Sequence, residues 1–349
     1  MSAPKSKRSY FDWKAVVGIV LSVVLLWWAL REVDPHTVLA EIRHADPLYF
    51  AGAVFCATFV FWIRAWRWKT LLTTAAPEST FRSRLAATTI GFMGNNLLPA
   101  RVGEFARAYA FAKLERITVV ASLGSLVVER LFDAIGIIGL LFFTLALPDV
   151  PTMGPKLNAI ARTLGVFIVV GLVVGVALVL FPQRTVKFIE DHLARFLPMS
   201  IRRPVVDSLE AFLSGLTVLR SPWLLIVATV QTLILWVFNA LGFWLGFKTF
   251  GIEVPFSAAL LLQSVIALAV SIPSSPGFFG PFEAAAKTVL VGAYGLTADK
   301  AVSFAIGFHI GGFVPVTVIG LYYAWRLGIS MKEVAHSEET VEDEVEKTL

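Results

Sequence analysis

Cysteine is almost absent from this chain, and charge is scarce. The single cysteine, Cys56, lies inside an apolar run, which excludes an intrachain disulfide and a thiolate metal cluster. Charged residues are 16% of the 349, against roughly 25% in an average soluble domain. Catalytic signatures are missing too. The sequence has no HExxH zinc spacing, no GxxxxGK[ST] phosphate loop and no GxSxG elbow, so no catalytic residue, metal or cofactor is expected. No small-residue cleavage site ends the first apolar run, which therefore reads as a retained span.

What is there is apolar. Hydrophobic residues make up 57% of the chain, and the mean hydropathy is +0.75. The apolar runs are spread along the whole length and leave no room for a separate soluble domain of ordinary size. The chain is expected to be an integral membrane protein. Its net charge of +5 then points to orientation and contact with anionic lipid rather than to nucleic acid.

A spanning helix needs about 20 apolar residues. Six runs qualify: Ala15–Leu30, Pro47–Ile63, Ile117–Leu147, Ile160–Phe181, Trp223–Phe247 and Ala301–Trp325. Basic residues cluster before the first run, after the second, before Ile117 and in the 182–221 loop, while 32–46, 148–159 and 248–255 hold few. By the rule that basic loops stay inside, both termini are cytoplasmic and the protein is multi-pass in the cell membrane. The first 13 residues form a basic cytoplasmic N-terminus and residues 14–328 a single transmembrane domain. The acidic stretch 329–349 is expected to be a disordered cytoplasmic tail.

Two regions, 85–113 and 256–295, are irregular, each entering and leaving on one side as a re-entrant hairpin or a pair of short spans. In the first, an apolar piece meets Pro99, then Gly103 and Glu104, a short helix and a long span. In the second, an apolar piece meets Pro276, then Gly280 and Glu283, a short helix and a long span. The units, about 85–147 and 256–325, would face opposite ways, as in inverted-repeat transporters whose interrupted helices meet near the midplane. Pro273 and Pro276 are equally compatible with a simple helix end.

Opening a helix in hydrocarbon leaves backbone groups unpaired, so a break persists only where protein or water lines it. The N-terminus of the next helix then suits an anion. Arg101, Glu104 and Arg107 stand three apart in turn. Arginine suits phosphate because its planar fork binds two oxygens, and Glu104 is placed to hold Arg101 or Arg107 while the site is empty. Asn95 and Asn96 are candidate uncharged ligands or caps. A bland alternative makes Arg101 and Arg107 headgroup anchors at the membrane surface.

The long span carries Glu129, Arg130 and Asp133 on one broad face. Such charges need a partner or a wet cavity if they are deep, and a structural interhelix network competes with a functional role. The second unit has Glu283 and Lys287, four apart, which also fit an interfacial ion pair. It has His309 as well, either a hydrogen-bonding core histidine or a proton carrier. Glu104, Glu129, Asp133 and His309 are the proton-carrier candidates. "FWIRAWRWK" reads most simply as an aromatic and basic interface belt.

At "RAWRWKTLL", "GFMGNNLLPARVGEFARAY", "SLVVERLFD" and "PSSPGFFGPFEAA", in this order and spacing, the chain resembles the lysylphosphatidylglycerol synthase transmembrane-domain family, also called the flippase-like domain family. The resemblance covers roughly residues 10 to 330. By position it assigns Pro99, Arg101, Gly103, Glu104 and Arg107 to the first motif, Glu129, Arg130 and Asp133 to the second, and Pro276, Gly280 and Glu283 to the third. Family members commonly carry two glycines after the third motif's proline, whereas here Gly277 is followed by Phe278. In larger, two-domain relatives this region moves an aminoacylated phospholipid between leaflets and a soluble domain makes it. That soluble domain is not expected here.

The expectation is thus an all-α polytopic membrane protein, with about six full spans and two broken or re-entrant helical hairpins related as an inverted repeat. It would translocate an anionic phospholipid or lipid-linked headgroup bound by Asn95, Asn96, Arg101, Glu104, Arg107 and Arg130. Glu129, Asp133, Glu283, Lys287 and His309 would be cavity or proton-coupling groups, with helix breaks at Pro99, Gly103, Pro276, Gly277 and Gly280. The expected partners are membrane lipids and that lipid substrate. A separately encoded lipid-modifying enzyme and a homo-oligomer stay open. Competing functions are a non-catalytic partner of a lipid- or glycan-modifying enzyme, a membrane-embedded headgroup transferase and a transporter of a soluble anion.

Overall fold

Among the residues described, the long apolar runs are helices, because in lipid only helices and closed barrels satisfy every backbone group. The computed structural model describes residues 13–73, 75–151, 221–271 and 274–341. The expected span Ile160–Phe181 and the 182–221 loop up to its last residue lie outside them. Among the described residues the chain is all-α.

The elements are α1 (Trp13–Leu30), α2 (Pro35–Arg43), α3 (Pro47–Leu71), α4 (Phe81–Leu97), α5 (Gly103–Glu115) and α6 (Val119–Leu145). After 152–220 come α7 (Pro222–Thr249), α8 (Phe256–Ala269), α9 (Pro281–Gly292), α10 (Ala298–Arg326) and α11 (Met331–Ala335). Among them α3, α7 and α10 are each long and apolar enough to cross a membrane, and α1 with α2, bent by 82°, would make a fourth. α6 has the length, at 27 residues, but Glu129, Arg130 and Asp133 interrupt its apolar character.

Local chemistry sets the ends. Asp46 caps α3 through Leu48 N–H and Tyr49 N–H. Thr80 caps α4 through Ser83 N–H, and Thr118 caps α6 through Ala121 N–H. α2 occupies part of the expected 32–46 loop, started by Asp34 and Pro35. α3 runs two turns past the expected end at Ile63, which carries Arg64 and Arg67 into the protein interior.

Both irregular regions are broken hairpins. α4 ends because Pro99 forces Leu98 into extended backbone (φ −117, ψ 147). A 3-10 turn over Pro99–Arg101 follows, and α5 folds back along α4. The return is tight: a Cβ on Gly103 would overlap the Gly91 carbonyl oxygen. At 1.5 Å per residue, α4 is about 26 Å long and α5 about 20 Å, short of the ~30 Å hydrocarbon core. In the second hairpin α8 is followed by a 3-10 turn over Pro276–Phe278 and then α9. Gly280, at φ +98, lies against Ser22 of α1, where a Cβ would meet the Ser22 carbonyl.

Two cores result. One, between α7, α8, α9 and α10, is rich in phenylalanine, including Phe243, Phe247, Phe282, Phe304 and Phe308. The other joins α3, α4, α5 and α6 around Trp68, Phe111 and many alanines. The start of the tail departs from the disorder expected for it. Val334, Ser337 and Val341 are buried, and Glu333 reaches Lys113 at 3.2 Å and Tyr109 at 3.3 Å on α5.

Candidate functional site

Four arginines and three carboxylates converge where α3, α5, α6 and α7 meet. Arg107 of α5 makes a two-pronged bond to Glu129 of α6, Nη1 to Oε1 at 2.6 Å and Nη2 to Oε2 at 2.9 Å. Its guanidinium lies 4.0 Å from the centre of the Trp68 ring, and the Trp68 indole N–H donates to Ser125 at 2.9 Å. Arg67 donates to Asp133 at 2.7 Å and to the Thr232 hydroxyl at 3.0 Å, and Arg64 donates to Asp133 at 3.0 Å. Arg130 stands 3.3 Å from Glu129, 3.4 Å from Glu104 and 3.6 Å from Asp133.

Burial sorts these groups. Arg64, Arg67, Arg107, Glu129 and Asp133 are all buried. Arg130 and Glu104 keep 41% and 29% of their side chains exposed. Four guanidiniums against Glu104, Glu129 and Asp133 leave one positive charge in excess, and Arg101 adds another. Charges taken out of water need this degree of mutual pairing, since a lone one would cost several kcal/mol.

Several expectations change in detail. Arg107 is occupied by Glu129 and Trp68 instead of lying free for a phosphate. Glu104 faces Arg130, and no hydrogen bond or ion pair within 4.0 Å joins it to Arg101 or Arg107 among the described residues. Asn95 is a cap: its Oδ1 accepts from Gly103 N–H at 3.0 Å and so closes the break. Asn96 donates to Thr317 on α10 at 2.8 Å. Arg64 and Arg67 were not among the expected site residues, because "FWIRAWRWK" passes for an interface belt. Their spacing of three inside an otherwise apolar helix was the available signal. Thr232 carried none.

The two breaks touch. Arg101, with φ +58, a conformation arginine seldom adopts, donates to the Ser271 carbonyl at 3.0 Å and lies 5.5 Å from the Phe278 ring centre. Thus the guanidinium of the first break closes on the backbone of the second. Among the described residues, the buried Nε atoms of Arg67, Arg101, Arg107 and Arg130 and Nη2 of Arg67 have no hydrogen-bond partner. An apolar groove of about 490 Å³ between α6 and α7 is lined by Phe132, Gly136, Gly139, Phe143 and Leu233. It reaches Thr232, the residue that accepts from Arg67.

At the second break Glu283 and His309 pair at 2.7 Å, and the other His309 nitrogen lies 2.8 Å from the Gly277 carbonyl oxygen. Lys287 does not bond to Glu283. It donates to the Ala29 carbonyl at 3.1 Å and ion-pairs with Glu32 at 3.3 Å. The alternative of a Glu283–Lys287 ion pair gives way to two separate contacts that fasten α9 to α10 and to the end of α1. No group of three or more histidines, cysteines or carboxylates with metal-binding geometry occurs among the described residues.

A family model described as the lysylphosphatidylglycerol synthase TM region matches residues 15–320. The chain belongs to that family. Within it, the chain is 26% identical to a UPF0104 membrane protein of Methanothermobacter thermautotrophicus, over 91% of this chain and 93% of that one. It is 20% identical to UPF0104 membrane protein MJ1595 of Methanocaldococcus jannaschii, over 88% and 93%. It is also 25% identical to a protein named glycosyltransferase AglD of Haloferax volcanii, over 94% of this chain and only 57% of the relative. The chain thus spans little more than half of that relative. The matched range contains all the residues of the charge cluster and both breaks.

Proposed function

We propose that this membrane protein carries the phosphate-bearing headgroup of an anionic phospholipid or lipid-linked substrate from one leaflet to the other. The carrying observation is the contact between the breaks, Arg101 on Ser271 and Phe278, beside a charge cluster with positive excess. Interrupted helices that meet are the architecture from which transporters build midplane sites. Arg101 and Arg130 are the groups we assign to the headgroup: Arg101 is outside the carboxylate cluster, and Arg130, though paired, keeps 41% of its side chain exposed, whereas Arg64, Arg67 and Arg107 are buried against Glu129 and Asp133. Those three arginines hold the site together rather than touch the cargo.

The groove beside Thr232 supports the same function. It offers an apolar track to the edge of the cluster, so acyl tails stay in hydrocarbon while the headgroup crosses. Orientation with both termini cytoplasmic, and the opposed facing of the two hairpin units, belong to this proposal.

The test is leaflet exchange of labelled anionic lipids in proteoliposomes, comparing the parent with Arg101→Ala and Arg130→Ala at matched reconstitution. Exchange selective for anionic headgroups and lost in both variants is expected. A folded parent that exchanges no lipid across a broad panel would sink the proposal. One observation favours a second reading: 94% of this chain aligns with a relative named as a glycosyltransferase. That fits a membrane partner of a glycan- or lipid-modifying enzyme, which co-purification of such an enzyme would reveal.

A further inference from the structure

His309 stands between two groups that both accept hydrogen bonds. On one side is a Glu283 carboxylate oxygen at 2.7 Å, and on the other the Gly277 carbonyl oxygen at 2.8 Å. A carbonyl oxygen has no proton to give, so the ring nitrogen facing Gly277 must carry one. The second oxygen of Glu283 accepts from Gly280 N–H at 2.7 Å, and Glu283 sits in the first turn of α9, where negative charge is favoured. An ionised Glu283 needs a proton on the other ring nitrogen as well. We infer that the Glu283–His309 pair is a proton-binding site, loaded in this conformation, and that it couples translocation to the transmembrane proton gradient.

The surroundings fit an imidazolium. The Phe282 and Phe279 rings lie 4.2 and 4.5 Å from it, centre to centre, and aromatic faces attract a cation. The pair is buried, with Glu283 1% exposed. Charged groups on the neighbouring elements are engaged elsewhere. Lys287 of α9 is on Ala29 and Glu32 of the α1 end. Arg64 and Arg67 of α3 are on Asp133, and Arg84 of α4 is on Ala65 and Ser79. Lys248 of α7 is on the Trp244 ring, and Asp299 of α10 takes Asp34 N–H. Lys300 and Arg326 lie near the two ends of α10, Arg326 bonding Tyr322. His36 and Arg43 of α2 and His44, which caps its end, are exposed and Glu41 is half-buried, while α8 has no charged residue. Glu129 and Asp133, the rival proton carriers, are each surrounded by at least three guanidiniums and have no comparable reason to take a proton.

The step is simple in its balance. When the proton leaves Nε2 for water, the neutral ring keeps its Nδ1–H on Glu283, and the Nε2 lone pair then faces the Gly277 oxygen lone pairs. Two acceptors repel, so the turn Pro276–Phe278 is released. Phe278 is the ring that lies against Arg101, so release of this turn reaches the proposed headgroup site directly. The inference rests on the translocation function, and its first test does not.

That test is nitrogen NMR of the full chain in lipid nanodiscs with labelled histidine, His309 being assigned by its loss in His309→Gln. The sequence has five histidines. Both ring nitrogens of His309 should be protonated at neutral pH, and Glu283→Gln should leave only one of them protonated. A neutral, single-tautomer His309 throughout pH 5 to 8 would overturn the proton site whatever the protein transports. The second test sets a one-unit pH gradient across proteoliposomes with the membrane potential clamped at zero. The steady-state leaflet ratio of the labelled lipid should shift by about tenfold for one proton carried per lipid, and stay near one in folded Glu283→Gln and His309→Gln. Exchange in the parent that ignores the gradient would overturn the coupling and leave translocation standing. A parent that exchanges nothing would remove the translocation function itself, with the NMR result still deciding the proton site.

Discussion

The two broken hairpins share a plan and differ in what fills them. Each has a short helix, a proline-led 3-10 turn, a second short helix and a long helix. Around the first break the interior is charged: four arginines, three carboxylates and small residues that let α4 and α5 approach. Around the second it is aromatic, and among the described residues the buried ionisable side chains narrow to Glu283, His309 and the outward-tied Lys287. A charge-rich interior suits holding an anion, because its field is fixed by mutually paired groups. An apolar interior around one titratable pair suits sensing a proton, because little water is there to screen a charge change. Under the proposed function, the difference gives distinct tasks to hairpins that look alike in outline.

The comparison breaks most readily at Glu129. Removing it by Glu129→Ala leaves Arg107 buried without its carboxylate. Breaking a buried pair from one side costs about 3–5 kcal/mol. Thermal unfolding in detergent should show that loss, while Arg107→Met with Glu129→Leu should restore much of it. Failure of the double replacement to recover stability would mean that the cluster contributes through more than pairing. Replacing Glu283 by Gln should cost less, since the amide still reaches His309.

A smaller effect on stability tests the glycine contacts. Gly280→Ala places a methyl against the Ser22 carbonyl at a φ of +98. The backbone strain alone is worth about 1–3 kcal/mol, so the unfolding midpoint should fall. Gly292→Ala, at a position on α9 with nothing within 4 Å of the added carbon, should be neutral or slightly stabilising. Equal effects at the two positions would remove the claim that α1 packs on the second break.

Arg101→Gly separates function from fold. It relieves a left-handed arginine by about 1–2 kcal/mol and loses a hydrogen bond worth about 1 kcal/mol. Stability should therefore hardly move, whereas exchange of anionic lipid should be lost. If exchange survives, Arg101 is only a strap between the breaks and Arg130 alone faces the cargo.

How much of this could be read from the residues depends on the kind of signal. Pro99 and Pro276 announce the breaks because proline acts locally on the residue before it, and both turns begin there. Glu129 and Asp133 announce a buried network because charges on an apolar helix need partners. The partners stayed hidden: Arg64 and Arg67 sit on a helix end, where basic residues ordinarily meet lipid headgroups, and only tertiary packing shows that α3 continues inward. Between the two readings of Lys287 the sequence could not choose, for a related reason. Its four-residue spacing from Glu283 is a helical pair on paper, but both side chains find better partners on α1 and α10. The acidic tail was expected to be disordered from its composition, yet Val334, Ser337 and Val341 come from that same stretch and are buried.

That tail supplies the mildest prediction, and one that lies outside both hairpins' interiors. Glu333 caps α11, accepting from Ser330 N–H at 2.8 Å, and meets Lys113 of α5. The cap, helped by Lys113, holds its carboxyl down to about 2 from an ordinary value of 4.5. A depressed carboxylate stabilises the docked segment fully above about pH 4.5, and that contribution disappears as pH falls through about 2. Because the pair is largely exposed, its worth is a few tenths to about 1 kcal/mol. Amide-exchange protection of residues 331–341 should therefore hold from pH 7 to 5 and weaken below it, with Glu333→Gln reduced already at pH 7 and nearly flat. If variant and parent match at pH 7, the segment is held by Val334 and Val341 alone. The charge on α5 would then belong wholly to the first hairpin's side of the comparison.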